Sequence, residues 1–359
     1  MMTDQALISA DDHLDLEAIA PNMFVDRAPE RLRERMPHVV PGPDGPVWTI
    51  EGKIIGPSGR RPGGRVDREP LGLRPGEPHG RMELMDRDNV QTHIIFGPAT
   101  GFTFAEDPKI RLACTQAYND HMLDFDAVNP KRLLTLAMMP GQSPDDARAE
   151  LLRCARAGHR GVLLPLYETD GLPFGPTWDG FWGLANETKI PVNFHLGGGS
   201  TRLKANLKSW TMPAMVSIIA MRMDEALAAI IFSGTFDRFP DLRVIFGESG
   251  IGWVPYHVRR MDACFHKYNS KSEDVQLKRL PSEYYGSNVL HTYEEDDLGL
   301  ALIDVIGADS VMWASDFPHG DSTWPNSQAI VAKSALSKLD AESRHKILYG
   351  NAAKLYGLD

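Results

Sequence analysis

Asp11 and His13 stand one residue apart in ADDH, and further histidines and carboxylates close short apolar runs: His195 in NFHL, Glu248 in FGES, His291 in VLHT and Asp316 in WASD. Imidazole nitrogens and carboxylate oxygens together suit Zn, Mn or Fe(II), and no cysteine lies near these positions to make a thiolate site. Asp11, His13, His195 and Asp316 offer two nitrogens and up to two oxygens to one divalent ion. That set leaves a position open for water or substrate, as catalytic metal sites do. The run LLPLYE (163–168) ends without Lys, His or Cys, so a bridging ligand for a second metal is missing. One metal is expected.

Each residue has a duller reading when taken alone. His13 fits a hydrogen-bonded core histidine, Asp316 before Phe-Pro fits a turn cap, and Glu248 fits a carboxylate at a helix N-terminus. Their shared position along the strands favours a site. Eight apolar runs read as strands: 6–9, 93–97, 133–139, 161–166, 191–196, 243–248, 288–292 and 310–315. Each is nearly continuous in hydrophobicity, as expected of parallel strands buried on both faces. Helical patterns alternate with them, for example at 108–128, 143–158 and 177–189. This order predicts an α/β fold, a (β/α)8 barrel, as a single domain over 1–359. A doubly wound open sheet is the rival, but no GxGxxG or GxxxxGK[ST] follows any run. Barrel chemistry sits at the C-terminal strand ends, and five of the eight runs deliver a His or carboxylate there.

Residues 15–85 exceed what a barrel connection needs and hold a Pro/Gly/Arg-rich stretch at 56–81. A segment this long predicts a lid, with a small hairpin at 47–55. Residues 197–242 predict two extra helices, and 340–358 an amphipathic helix that closes the barrel base or packs beside it. Among the lid cations Arg60, Arg61, Arg65, Arg68, Arg74 and Arg81, the last, with His79, stands nearest the second strand and is expected to reach substrate. Trp324 and glycines 197–199 are expected in the pocket wall.

The chain has 359 residues, 42% hydrophobic, with 38 Lys and Arg against 48 Asp and Glu, for a formal charge of −10. An acidic chain without a basic block has no footprint for nucleic acid or an anionic membrane. Its apolar runs fall well short of the roughly 20 residues of a membrane span. The first residues carry no secretory pattern, and Cys114, Cys154 and Cys264 are scattered, which fits thiols in a reducing cytoplasm.

The chain resembles the aminocarboxymuconate semialdehyde decarboxylase-like branch (amidohydrolase family 2) of the amidohydrolase-related superfamily. The resemblance rests on ADDHLD (10–15), NFHLGGG (193–199), FDRFPDLRVIFGESGIGWVPYHVRRMD (236–262), WASDFPHGDSTWP (313–325) and ILYGNAAKLYGL (347–358). It implies a distorted barrel with one divalent metal on Asp11, His13, His195 and Asp316. Zn is expected first. Asp11 stands where many members have His, and the extra oxygen makes Mn the alternative. Glu248 stands where many decarboxylases of the branch have an acid–base His. The resemblance implies a non-oxidative carboxy-lyase acting on a small aromatic or unsaturated carboxylic acid, and commonly a homodimer. Hydrolysis of an amide, lactone or C–C bond is the alternative, with Asp316 taking the proton of a metal-activated water. A non-enzymatic metal-binding or regulatory protein would be favoured by a lost ligand, and none is lost. Glu248 and His291 are the expected proton carriers, and His319 is expected to support Asp316 near the substrate.

Overall fold

The structure is a computed structural model, and it describes residues 6–59, 72, 74–98, 101–166, 169, 171–196, 203, 206 and 208–358. Arg60, Arg61, Arg65, Arg68 and glycines 197–199 lie outside the described residues.

The first strand, β1 (Ile8–His13), is buried along its whole length. The chain then leaves the barrel and builds an antiparallel sheet from β2 (His38–Gly42), β3 (Gly45–Ile50) and β4 (Lys53–Pro57). The expected hairpin falls on β3 and β4, which reverse at Glu51 and Gly52, with φ of 49° and 78°. This sheet is docked by apolar burial. Trp48 is fully buried and meets Phe24 edge-on at 5.5 Å, and Phe24 meets Phe102 at 5.7 Å. Gly59 N also donates to Glu17 O at 2.7 Å. Glu17 lies just past β1 and Phe102 just past the next barrel strand. The inserted sheet therefore packs on segments leaving the C-terminal strand ends.

The barrel continues through β5 (Thr92–Phe96), β6 (Leu133–Thr135), β7 (Ala137–Met138), β8 (Val162–Leu163), β9 (Val192–His195), β10 (Val244–Gly247), β11 (Val289–Tyr293) and β12 (Val311–Trp313). All neighbours are parallel, in the orders β1-β5-β6 and β7-β8-β9-β10-β11-β12. β6 and β7 are halves of one run that changes partner at its middle. Leu136 N donates to Ile95 O at 2.9 Å, and Ala137 N donates to Gly161 O at 3.1 Å. The other seam closes where Asp316 N donates to Asp11 O at 3.0 Å and His13 N donates to Phe317 O at 2.7 Å. The eight runs thus form the expected (β/α)8 barrel, distorted by a register shift in β1 between Ser9 and Asp12.

Local signals set the helices. Pro108–Ala127 starts with Asp107 accepting from Lys109 N and Pro at its first position; Pro144–Ala157 starts on a Ser143 cap and ends at Gly158, φ 106°. Alternation sorts the strand residues into two apolar clusters. Ile245, Leu290 and Met312 join one with Ile8 and Ile94, while Phe246, Val289 and Trp313 join the layer under the helices. The C-terminal helix Asn351–Tyr356 closes the base, where the Tyr356 hydroxyl donates to Asn193 Oδ1 at 2.7 Å. Gly161 makes this closure possible, since a Cβ there would lie 2.6 Å from Leu136 Cδ2 and 3.0 Å from Tyr356 Cε1.

Candidate metal centre

The seam between β1 and β12 places two short peptides side by side, one carrying Asp11 and His13, the other Asp316. His13 Nε2 lies 3.0 Å from Asp316 Oδ1 and 3.5 Å from Asp11 Oδ1. His195, the last residue of β9, brings its Nε2 to 3.6 Å from Asp11 Oδ1. Its Nδ1 donates to Leu196 O at 2.6 Å, which turns Nε2 toward the carboxylates. Glu248 Oε2 comes within 3.2 Å of the same Nε2. The structure therefore brings together the four expected ligands, with Glu248 beside them.

These atoms are set up for a cation. Asp11 Oδ1, His13 Nε2, His195 Nε2 and Asp316 Oδ2 are buried and make no hydrogen bond. Leaving each such atom unsatisfied costs about 1–3 kcal/mol, so four of them gathered around His13 fit a bound divalent ion. The ligand atoms of Asp11, His13 and His195 lie within 4.8 Å of one another, as do those of His13, Glu248, Asp316 and His319. Two nitrogens and two carboxylates suit Zn or Mn.

The remaining lone pairs are tied down. Asp11 Oδ2 accepts from Glu248 N at 2.6 Å and from Thr292 Oγ1 at 2.7 Å. Glu248 and Asp316 hold φ values of 48° and 57°, unusual for residues with a side chain. Such backbone persists where surrounding bonds over-determine it, commonly at functional sites. Burial pushes the Asp11 carboxyl up to about 8, Thr292 working against it. Burial also pushes His13 down to about 3, with the His319 cation adding to the shift, so His13 is neutral and ready to ligate. Asp316 is buried too, yet its contacts with His13 and His319 hold it well below the usual carboxylate range. Glu248 is raised to about 8, chiefly by burial, although 22% of its side chain remains exposed.

His319 sits as expected beside Asp316, with Nδ1 2.8 Å from Asp316 Oδ1 and Nε2 3.1 Å from Asp15 Oδ2. Arg81 is placed differently from its expected role. It is fully buried, donates through Nη2 to His13 O and through Nε to Pro75 O at 2.8 Å, and lies over the Phe317 ring. Its guanidinium braces the loop after β1 instead of reaching out to substrate. His79 is exposed in the first turn of helix Pro78–Asp88, and Trp324 donates through Nε1 to Leu84 O at 3.1 Å. Neither is brought to the cluster. Nor is His291: Thr292 faces Asp11, so alternation turns His291 toward the helices, against Phe246 and Tyr285.

Sequence reasoning missed Thr292, Asp15 and Asp12. Asp12 accepts from Ser315 Oγ at 2.5 Å and Phe317 N at 3.1 Å, which ties β1 to the loop carrying Asp316. Asp12 and Asp15 sit inside the ADDHLD segment already singled out, so the density of acids there was a usable signal. Thr292 had none.

A parallel barrel with a cup of histidines and carboxylates at its C-terminal rim defines the amidohydrolase class of metal-dependent enzymes. The chain matches the amidohydrolase family (Amidohydro_2) over residues 72–358 and belongs to it. Among curated relatives, a gamma-resorcylate decarboxylase of Rhizobium sp. (strain MTP-10005) is 27% identical over 303 residues, covering 78% of this chain and 86% of the relative. A 2-amino-3-carboxymuconate-6-semialdehyde decarboxylase of Dictyostelium discoideum is 23% identical, covering 79% and 77%. The crystal structure of a dihydroxybenzoic acid decarboxylase from Polaromonas sp. JS666, with bound manganese and 2-nitroresorcinol, superposes with a TM-score of 0.65 at 20% identity, covering 98% and 97%. No helix among the described residues is long and apolar enough to cross a membrane.

Proposed function

We propose that the protein is a mononuclear metal-dependent carboxy-lyase that removes carbon dioxide non-oxidatively from a small aromatic or unsaturated carboxylic acid. The observation that carries this reading is the convergence of unsatisfied buried atoms of Asp11, His13, His195 and Asp316. The decarboxylases among its relatives support the reaction class. Asp11, His13, His195 and Asp316 would hold a divalent ion, which would supply Lewis acidity to the substrate's carboxylate. Two carboxylates beside two imidazoles admit Mn as well as Zn, and the manganese of the Polaromonas structure supports Mn.

The chain's own residues do the rest. Asp11 and Asp316 supply the negative charge that offsets the ion, and His13 and His195 complete the cup. Glu248, half-buried beside His195, holds a proton at neutral pH and passes it to the ring carbon as the carboxyl group departs. The insertion at 15–85, of which residues 15–59 dock on the barrel, serves as the lid that keeps water from that carbon, and the protein works as a homodimer in the cytoplasm. The three cysteines are free, which is in keeping with that compartment.

Hydrolysis is the second reading, favoured by Asp316 being held ionised and so able to take a proton from water. Incubating metal-loaded protein with gamma-resorcylate, other hydroxybenzoates and aryl lactones separates the two. Carbon dioxide release from an acid supports the lyase; lactone or amide opening without carbon dioxide from any acid overturns it.

A further inference from the structure

We propose that His291, outside the barrel interior, is a positioning residue that holds the turn carrying Glu248 through a hydrogen bond to Ser249. This inference rests on the proton-transfer reading of Glu248. β11 grips the segment after β10 with successive residues. Thr292 Oγ1 takes Glu248 N at 2.8 Å, His291 Nδ1 meets Ser249 Oγ at 2.9 Å, and beyond the strand Asp296 Oδ2 accepts from Ile251 N at 2.8 Å and Gly252 N at 2.6 Å. The grip is needed because Glu248 turns through φ 48°, which a side chain disfavours.

The direction of the His291 bond follows from counting hydrogens. Ser249 Oγ has one, and the carbonyls of Phe246 and Gly250 lie 3.0 and 3.1 Å away. Giving that hydrogen to a carbonyl leaves Oγ to accept, so His291 carries its proton on Nδ1 and donates it. The ring cannot swing. It is fully buried, stacked between Phe246 at 5.3 Å and Tyr285 at 5.8 Å, with Trp253 edge-on at 6.4 Å. Trp253 closes the loop by donating through Nε1 to Ser249 O at 2.8 Å. His291 is therefore a rigid donor aimed at the residue next to the proton carrier.

Two replacements separate this role from packing. Phe fills the aromatic slot without a donor, whereas Asn is smaller but keeps an N–H near Nδ1. In metal-loaded protein acting on gamma-resorcylate, His291→Phe should lower kcat about 10-fold or more with KM within about threefold, because misaimed acids lose rate before binding. His291→Asn should recover most of that loss despite a lower Tm. A packing role gives the reverse order, with the Phe variant fully active and the Asn variant the poorer; a proton-carrying His291 abolishes turnover in both. Either result overturns the proposal. Should the Phe variant not fold, Ser249→Ala removes the accepting oxygen and must lower kcat similarly; unchanged kcat is contrary. Independently of activity, a crystal structure of either folded variant lacking the bond should show Glu248 out of its left-handed φ, and a φ still near 48° overturns the proposal. Glu248→Gln with normal turnover sinks the proton-transfer reading itself. A full Glu248→Gln effect that adds to that of His291→Phe sinks only the positioning role, since residues acting through one group are not additive.

Discussion

His319 lies flat against His13, with ring centroids 4.0 Å apart and planes 16° from parallel, while both rings contact Asp316 Oδ1. The two histidines do opposite things. Against burial, Asp15 and Asp316 hold His319 up to about 11 as a cation, whereas buried His13 is kept neutral. The cation keeps Asp316 ionised, and its charge discourages protonation of His13. Both effects ready ligands for a metal.

Replacing His319 with Gln removes that charge and frees Asp316 to turn. Metal affinity should fall about 10- to 100-fold, as it does when a residue orienting a ligand is lost. Chelator competition measures it, and an unchanged affinity would show that Asp15 and His319 only pack.

Metal affinity should also depend on pH with a definite sign. Without metal Asp11 binds its proton up to about pH 8, and that proton must leave for the carboxylate to ligate. Affinity should therefore rise by up to about tenfold per pH unit below about 8 and flatten above it. His13, already neutral above about 3, adds nothing to this slope. A calorimetric titration showing pH-independent affinity between 6 and about 8 would contradict the ionisation assigned to Asp11.

Arg81→Met should destabilise the fold instead of weakening substrate binding. It deprives the buried carbonyls of His13 and Pro75 of their donor and removes the cation nearest to buried Asp12. Leaving each carbonyl unsatisfied costs about 1–3 kcal/mol. Thermal denaturation reads the loss directly; a variant with native Tm and raised KM would return Arg81 to the substrate pocket.

Glu248→Gln keeps size and shape while removing the titrating proton. Turnover should fall roughly 10²-fold with metal content unchanged. If the metal is lost with the activity, Glu248 belongs among the ligands.

Strand ends were the most legible part of the chain. Asp11, His13, His195 and Asp316 close continuous apolar runs, and only a closed parallel barrel brings all those ends to one rim. Side-chain direction was less legible, for the same reason. A run buried on both faces has no polar alternation, so nothing in NVLHT tells that Thr292 faces the metal cup and His291 the helices. Arg81 misled because it stands two residues from exposed His79 and Glu83; that it is drawn inward by the His13 carbonyl depends on a contact across 68 residues of chain. The register shift in β1 between Ser9 and Asp12 likewise left no mark in the residues themselves.

The central claim is one divalent ion held by four residues, and elemental analysis of purified protein tests it most directly. Wild-type protein loaded with manganese or zinc and freed of excess should retain one ion per chain, and His195→Ala, folded but missing a ligand, should retain almost none. A wild type that holds no metal, or a His195→Ala variant that keeps a full equivalent, would contradict the account.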